Sequence, residues 1–200
     1  MRLTLAKPLI GWVRRITDFK NQYPMLRPII TAICAERGKE VYTPLGLLSG
    51  LGMQMFCAGT ASADDYRSWI EEFNGWTNDP ELQGNFVFLP EYDFEFLKMT
   101  GYDIWLHCPW LGWEACGTSS QRKIIDGIPP LTTRTGGDME YVQEFDPATG
   151  KGNGFYLDPY EPMTIYKKLK THSDIYYNWQ EHKNPMLLVL NENAYETGKT

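Results

Sequence analysis

From residue 9 onward the chain repeats one unit: a short apolar run, a polar turn, then a stretch whose apolar residues keep helical spacing. The runs at 9–16, 53–58, 85–89, 102–108, 131–134 and 154–157 have strand length. The segments between them read as helices. In 24–37, Leu26, Ile29, Ile30 and Ile33 follow three-and-four spacing and Gly38 is a stop; in 62–73, Tyr66, Trp69, Ile70 and Phe73 share one face. Shorter helices are expected at 93–99 and at 118–125, the latter closed by Gly127. A strand that reaches the next strand through such a helix crosses over right-handed and lands parallel. The expected fold is therefore α/β, a Rossmann-like parallel sheet with helices on both faces.

Two hundred residues with 42% hydrophobic content suffice for one such sheet and are short for two. Residues 1–160 are assigned to this domain. Residues 161–200 are expected to supply a C-terminal helix over 162–182 and a tail packed on the domain, fraying from Asn191 onward. The short run 9–13, broken by Pro8 just before it and Gly11 within it, is too short to span a bilayer, and no small-residue cleavage site follows. A cytoplasmic protein without membrane partners is the expectation. Cys34, Cys57, Cys108 and Cys116 form no CxxC pair and read as reduced thiols. The net charge of −6 argues against a non-specific grip on nucleic acid, although a local pair of cations can still hold a diphosphate. The terminal Gly198-Lys199-Thr200 lacks the earlier glycine and following helix of a phosphate loop.

Parallel sheets bind ligands beyond the carboxyl ends of their strands, which directs attention to the loops at 17–23, 59–64, 90–94, 109–118 and 135–139. Arg15 closes the first strand and Lys20 follows five residues later, a fork and a point charge suited to phosphate oxygens, or a solvated turn. Glu114-Ala-Cys-Gly117-Thr118-Ser119 carries a carboxylate straight into a helix, whose first turn offers unpaired N–H groups to an anion. Thr118 or Ser119 could equally be a plain N-cap. Gly136 and Gly137 form a turn after the fifth strand, and Tyr92 after the third could stack on a base or pack in the core. No His/Cys/carboxylate set has metal-ligand spacing, so no metal is expected; His107, the histidine nearest these loops, reads as packed or solvent-facing.

Taken together, these stretches resemble a family. Glu114-Ala-Cys-Gly, the helix ending Asp126-Gly127-Ile-Pro-Pro, the run Thr-Arg-Thr-Gly-Gly and Glu144-Phe-Asp-Pro-Ala-Thr-Gly-Lys-Gly-Asn-Gly-Phe155 resemble glycogen and starch synthases. Ile10-Gly-Trp-Val-Arg-Arg-Ile-Thr-Asp-Phe-Lys20, Met55-Phe-Cys-Ala-Gly-Thr-Ala and Phe86-Val-Phe-Leu-Pro-Glu-Tyr-Asp93 are more similar to α-glucan phosphorylases. Both are GT-B glycosyltransferases, and the resemblance, over about residues 9–160, is to their C-terminal, donor-binding half.

The resemblance implies that Arg15 and Lys20 hold the donor's phosphates and that Glu114 meets the sugar's hydroxyls. It places Gly117 and Thr118 at the loop-to-helix junction beside phosphate and sugar, and Tyr92 under the base. It implies retaining transfer of glucose from ADP-glucose or UDP-glucose to an α-1,4-glucan. The chain opens almost directly on the first strand of that half, so a protein partner or a missing N-terminal GT-B domain is expected to complete the site. Phosphorylases place a pyridoxal-phosphate lysine in a run like Gly-Thr-Ser-Gly-Met-Lys; here the run is Gly117-Thr-Ser-Ser-Gln-Arg122. Arginine stays protonated and cannot form the Schiff base. Lys123 lies about 100° further round the helix. No pyridoxal phosphate is expected. The other readings are a non-catalytic scaffold for carbohydrate or protein, and a phosphorylase-like protein without its cofactor lysine.

Overall fold

The computed structural model describes residues 3–20, 27–61, 67–82, 84–91 and 93–199. In chain order the described elements are β1 (Leu9–Val13), α1 (Arg27–Cys34), the hairpin β2 (Glu40–Thr43) and β3 (Gly46–Ser49), β4 (Gln54–Ala58), α2 (Arg67–Thr77), β5 (Phe86–Leu89) and α3 (Phe94–Lys98). They continue with β6 (Ile104–His107), α4 (Thr118–Ile125), β7 (Pro130–Thr132), α5 (Asp138–Tyr141), β8 (Phe155–Tyr156), α6 (Pro162–His182) and α7 (Met186–Thr197). Six strands form one sheet in the order β5-β4-β1-β6-β7-β8, every pairing parallel. This is the α/β architecture expected from the alternation of runs.

The order has a physical consequence. The chain builds outward from β1 through β4 to β5, then returns to the other side of β1 and builds outward again from β6 to β8. The loops after β1 and β6 leave the sheet in opposite directions, so a crevice opens between them at the carboxyl ends.

Both faces of the sheet are covered, which is why β4 and β6 are buried along their whole length and read as continuous apolar runs. On one face Ile10, Trp12, Met55, Cys57, Phe86 and Phe88 join residues of α1, α2, α6 and α7 in the main core. The other face is smaller and centres on Val13, Phe56, Tyr102 and Trp105. Gly11 makes that face possible: a Cβ there would lie 2.5 Å from the Trp105 ring. The helix expected at 62–73 is seen from Arg67 to Thr77, with Phe73 edge-on to Trp12 at 6.1 Å and to Phe88 at 5.3 Å.

Several boundaries move. The first strand ends at Val13 rather than 16, yet its backbone still runs beside β4, with Ile16 N–H donating to Thr60 O at 2.9 Å. The fifth ends at Thr132 rather than 134, where Thr133 turns its hydroxyl to Pro109 O at 2.8 Å. The β2–β3 hairpin had no expectation; Val41 and Leu48 face inward while Tyr42 pairs Leu47 outside.

One expectation is overturned. Residues from Asn191 do not fray: α7 runs to Thr197 and packs against α4 and α6. Leu187, Leu190 and Ala194 keep three-and-four spacing and are buried, and Asn193 donates to Gly150 O at 2.9 Å and Gly152 O at 2.8 Å. A polar-looking tail is held by one narrow apolar stripe and a side-chain amide. No helix among the described residues is long and apolar enough to cross a membrane, and the four cysteines are free thiols.

Leu190→Ala therefore tests the end of the chain. Removing a fully buried leucine there should lower stability by about 2–5 kcal/mol, measured as a shift of the urea midpoint at constant slope. A change near zero would mean that α7 is not docked.

Candidate functional site

At the carboxyl ends of β1 and β6 the crevice becomes a cleft of about 210 Å³. Arg15, Lys20, Glu114, Gly117 and Thr118 all line it, so five residues from two separate stretches of sequence meet. Tyr92 lies outside the described residues. Gly136 and Gly137 are not in the cleft lining. They stand behind the loop that carries Glu114: Gly136 has φ +55, and a Cβ there would lie 2.5 Å from Glu114 O, while one at Gly137 would lie 3.0 Å from Gln121 Nε2. Their part is to let the Glu114 loop settle against the turn, which the sequence could not distinguish from ligand contact.

The two arginines that leave β1 both line the cleft but differ in burial. Arg14 is buried, with Nη1 donating to Lys20 O at 2.5 Å and its guanidinium 5.8 Å from the Trp12 ring centre. Its Nε has no hydrogen-bond partner among the described residues. Burial lowers its pKa, against the nearby Glu114 and Asp138 charges. Arg15 is exposed at the cleft. The site thus holds a buried cation that the sequence reading did not single out.

Lys20 ends a single 3-10 turn, Asp18–Lys20, and its ammonium pairs with Glu114 in a short contact. Burial lowers the lysine pKa; the bond to Glu114 opposes that, and the arginines add to it. Burial would raise the Glu114 carboxyl, but the approach of His107 and Lys20 outweighs it and brings the pKa down to about 2. An ionised carboxylate is thus fixed beside cations in a cleft open to ligand.

α4 begins at Thr118 with Gly117 as N-cap and no side-chain cap. The first-turn N–H groups are left for an outside acceptor, and the dipole end faces the cleft. Gly117 is required sterically. A Cβ would lie 2.6 Å from His107 Cε1 and 2.8 Å from Asp138 Oδ1.

Those two neighbours are the part of the site that sequence reasoning missed. His107 is packed and not solvent-facing: it is buried at the end of β6, with Nδ1 2.6 Å from Asp138 Oδ2 and Nε2 3.8 Å from Glu114 Oε2. Asp138 is fully buried and takes further hydrogen bonds from Ser120 Oγ at 2.6 Å and, at shorter range, from Thr132 and Tyr141. Burial would raise its pKa; the contact with His107 and the hydroxyls lower it. An ionised carboxylate only accepts, so Nδ1 of His107 carries a proton. The only signal in the sequence was an acid directly after a glycine pair. Lys123 points elsewhere: it is buried, donates to Met99 O at 2.6 Å, and lies 5.5 Å from the Tyr102 and Trp105 ring centres. Among the described residues no group of His, Cys, Asp and Glu could hold a metal ion.

Known proteins resemble this chain in sequence and in fold. The chain is 23% identical over 188 residues to a glycogen synthase of Treponema denticola, covering 93% of this chain and 34% of that protein. It is 29% identical over 131 residues to a glycogen phosphorylase of Aquifex aeolicus, covering 64% of this chain and 18% of that protein. The crystal structure of Anabaena HepE in complex with UDP and glucose superposes with TM-score 0.65 at 16% identity, over 96% of this chain and 44% of that one. No family model matches. The fold is that of one half of a GT-B glycosyltransferase, the C-terminal half by its sequence relatives, and the chain spans less than half the length of these proteins.

The low pKa of Glu114 has a measurable sign. Its folded value, about 2, lies below the ordinary 4.5, so its contribution to stability is present above about 4.5 and is lost as pH falls toward 2. Glu114→Gln should remove that part of the acid-induced loss, so wild type and variant converge between those pH values in urea titrations. Parallel stability profiles would contradict the ion pair.

Proposed function

We propose that this chain is the donor-binding half of a retaining α-glucan glycosyltransferase, transferring glucose from ADP-glucose or UDP-glucose to an α-1,4-glucan and completed by an acceptor-binding half. The observation that carries it is the convergence of Arg15, Lys20 and the uncapped start of α4 on one cleft beside Glu114. The relatives named glycogen synthase and the HepE structure with UDP and glucose support the same assignment, as does the share of their length that this chain spans.

The roles follow from charge. A nucleotide sugar leaves as a diphosphate, on which negative charge grows as the bond to the sugar breaks. Arg15 and Lys20 supply cations to that charge, and the N–H groups at Thr118 and Ser119 supply fixed dipoles. The buried Arg14 holds the Lys20 turn by its bond to Lys20 O, so one lysine position is set before ligand arrives. Glu114, ionised, accepts hydrogen bonds from the sugar's hydroxyls. Pyridoxal phosphate has no place in this reading, because Arg122 cannot form the Schiff base and Lys123 is engaged on the far side of α4. The acceptor, and with it full activity, belongs to the other half.

Calorimetric titration of the chain with ADP-glucose and UDP-glucose tests the assignment. At least one should bind, and Arg15→Ala should weaken it about 10- to 150-fold, the loss of a charge-assisted hydrogen bond worth about 1.5–3 kcal/mol. Binding of maltoheptaose alone, with neither nucleotide sugar bound, would favour a carbohydrate-binding scaffold.

A further inference from the structure

The cleft contains its own counter-ion. Lys20, which a diphosphate would use, is already paired with Glu114, whose side chain is only 11% exposed. An anion that draws the ammonium away leaves a nearly buried carboxylate beside added negative charge, an arrangement that folded proteins avoid. A replacement partner stands ready. His107 Nε2 is 3.8 Å from Glu114 Oε2, and its ring is held at the other nitrogen by Asp138.

With Nδ1 donating to Asp138, a neutral ring turns the Nε2 lone pair toward Glu114, and only the imidazolium offers an N–H there. The groups around the ring leave that change to histidine. Arg14 faces it from the end of β1, Lys20 from the following turn, Glu114 and Cys116 from the loop before α4, and Asp138 and Tyr141 from α5. Cys108 follows directly after the strand. Burial raises the Cys108 thiol and the Tyr141 phenol, and the Glu114 and Asp138 carboxyls are lowered. Imidazole is the side chain in this set that ordinarily changes charge near neutral pH.

We propose that His107 is a positioning residue of this cleft: when a diphosphate draws Lys20 from Glu114, His107, held by Asp138, takes up one proton from solvent and becomes the partner of Glu114. The exchange breaks one ion pair and forms two, lysine with the diphosphate and imidazolium with the carboxylate. No covalent bond changes, and the proton is the only species consumed from solution. The identity of the anion rests on the donor-binding reading above; the exchange itself needs only an anion at Lys20.

The test is calorimetry of ADP-glucose and UDP-glucose binding in buffers of different ionisation enthalpy, from about pH 6 to about pH 8 across the ordinary histidine range. Binding should take up as much as one proton, and Kd should rise with pH by at most about tenfold per unit. His107→Asn should abolish both the uptake and the pH dependence. In parallel, the ring signals of His107 are followed by NMR with and without sulfate, whose charge is constant over this range; sulfate should move the titration to higher pH. This measurement needs no variant, so a misfolded His107→Asn does not spare the proposal. Nucleotide binding without proton uptake, or a His107 titration indifferent to sulfate, would overturn it. If sulfate shifts His107 but neither nucleotide sugar binds, the exchange stands and the donor assignment falls.

Discussion

The carboxylate of Asp138 is the fixed point of the site. It is fully buried and draws bonds from β6 through His107, from β7 through Thr132, from α4 through Ser120 and from its own helix through Tyr141. A buried charge is tolerable only when its lone pairs are used, and here they are used by elements from both sides of the Glu114 loop. The start of α4 is thereby set against the end of β6. Gly117 lets them meet that closely, since any side chain at that position would enter the space of His107 or Asp138.

From that point charge runs outward to the surface. Asp138 holds His107, His107 approaches Glu114, Glu114 pairs with Lys20, and the Lys20 carbonyl accepts from Arg14. Asp138 is paired with His107 and Glu114 with Lys20, so each buried carboxylate has a partner that offsets its desolvation penalty. The cleft stays polar and ordered without a ligand, and its cations stay available to one because their partners can be exchanged. Preorganisation of this kind is what a site for a charged leaving group requires, as dipoles and charges already in place need not reorganise during reaction.

The fold was legible because a parallel sheet with two covered faces writes itself as apolar runs separated by amphipathic helices, and β4, β6, α2 and α4 all carry that pattern plainly. The position of the cleft followed from the rule for carboxyl ends, and Arg15, Lys20, Glu114, Gly117 and Thr118 do line one cavity. The end of the chain was misjudged for a local reason: Leu187, Leu190 and Ala194 make a stripe too narrow to stand out among the polar residues of α7, and its partner, α4, is distant in sequence. The short hairpin was missed because its strands are four residues each, with only Val41 and Leu48 turned inward.

What the sequence determined by itself was the class of sheet and the loops that could hold an anion, because both depend on periodicity and on residue type at strand ends. Tertiary structure decided that of two adjacent arginines at the cleft Arg14 is buried and Arg15 exposed, that the glycine pair at 136 and 137 supports the Glu114 loop instead of lining the site, and that His107 and Asp138 stand together behind it. These depend on packing between residues 31 positions apart and on how far a side chain at a strand end is buried. No local pattern encodes such distances; they exist only once β6, β7, α4 and α5 are assembled around one buried charge.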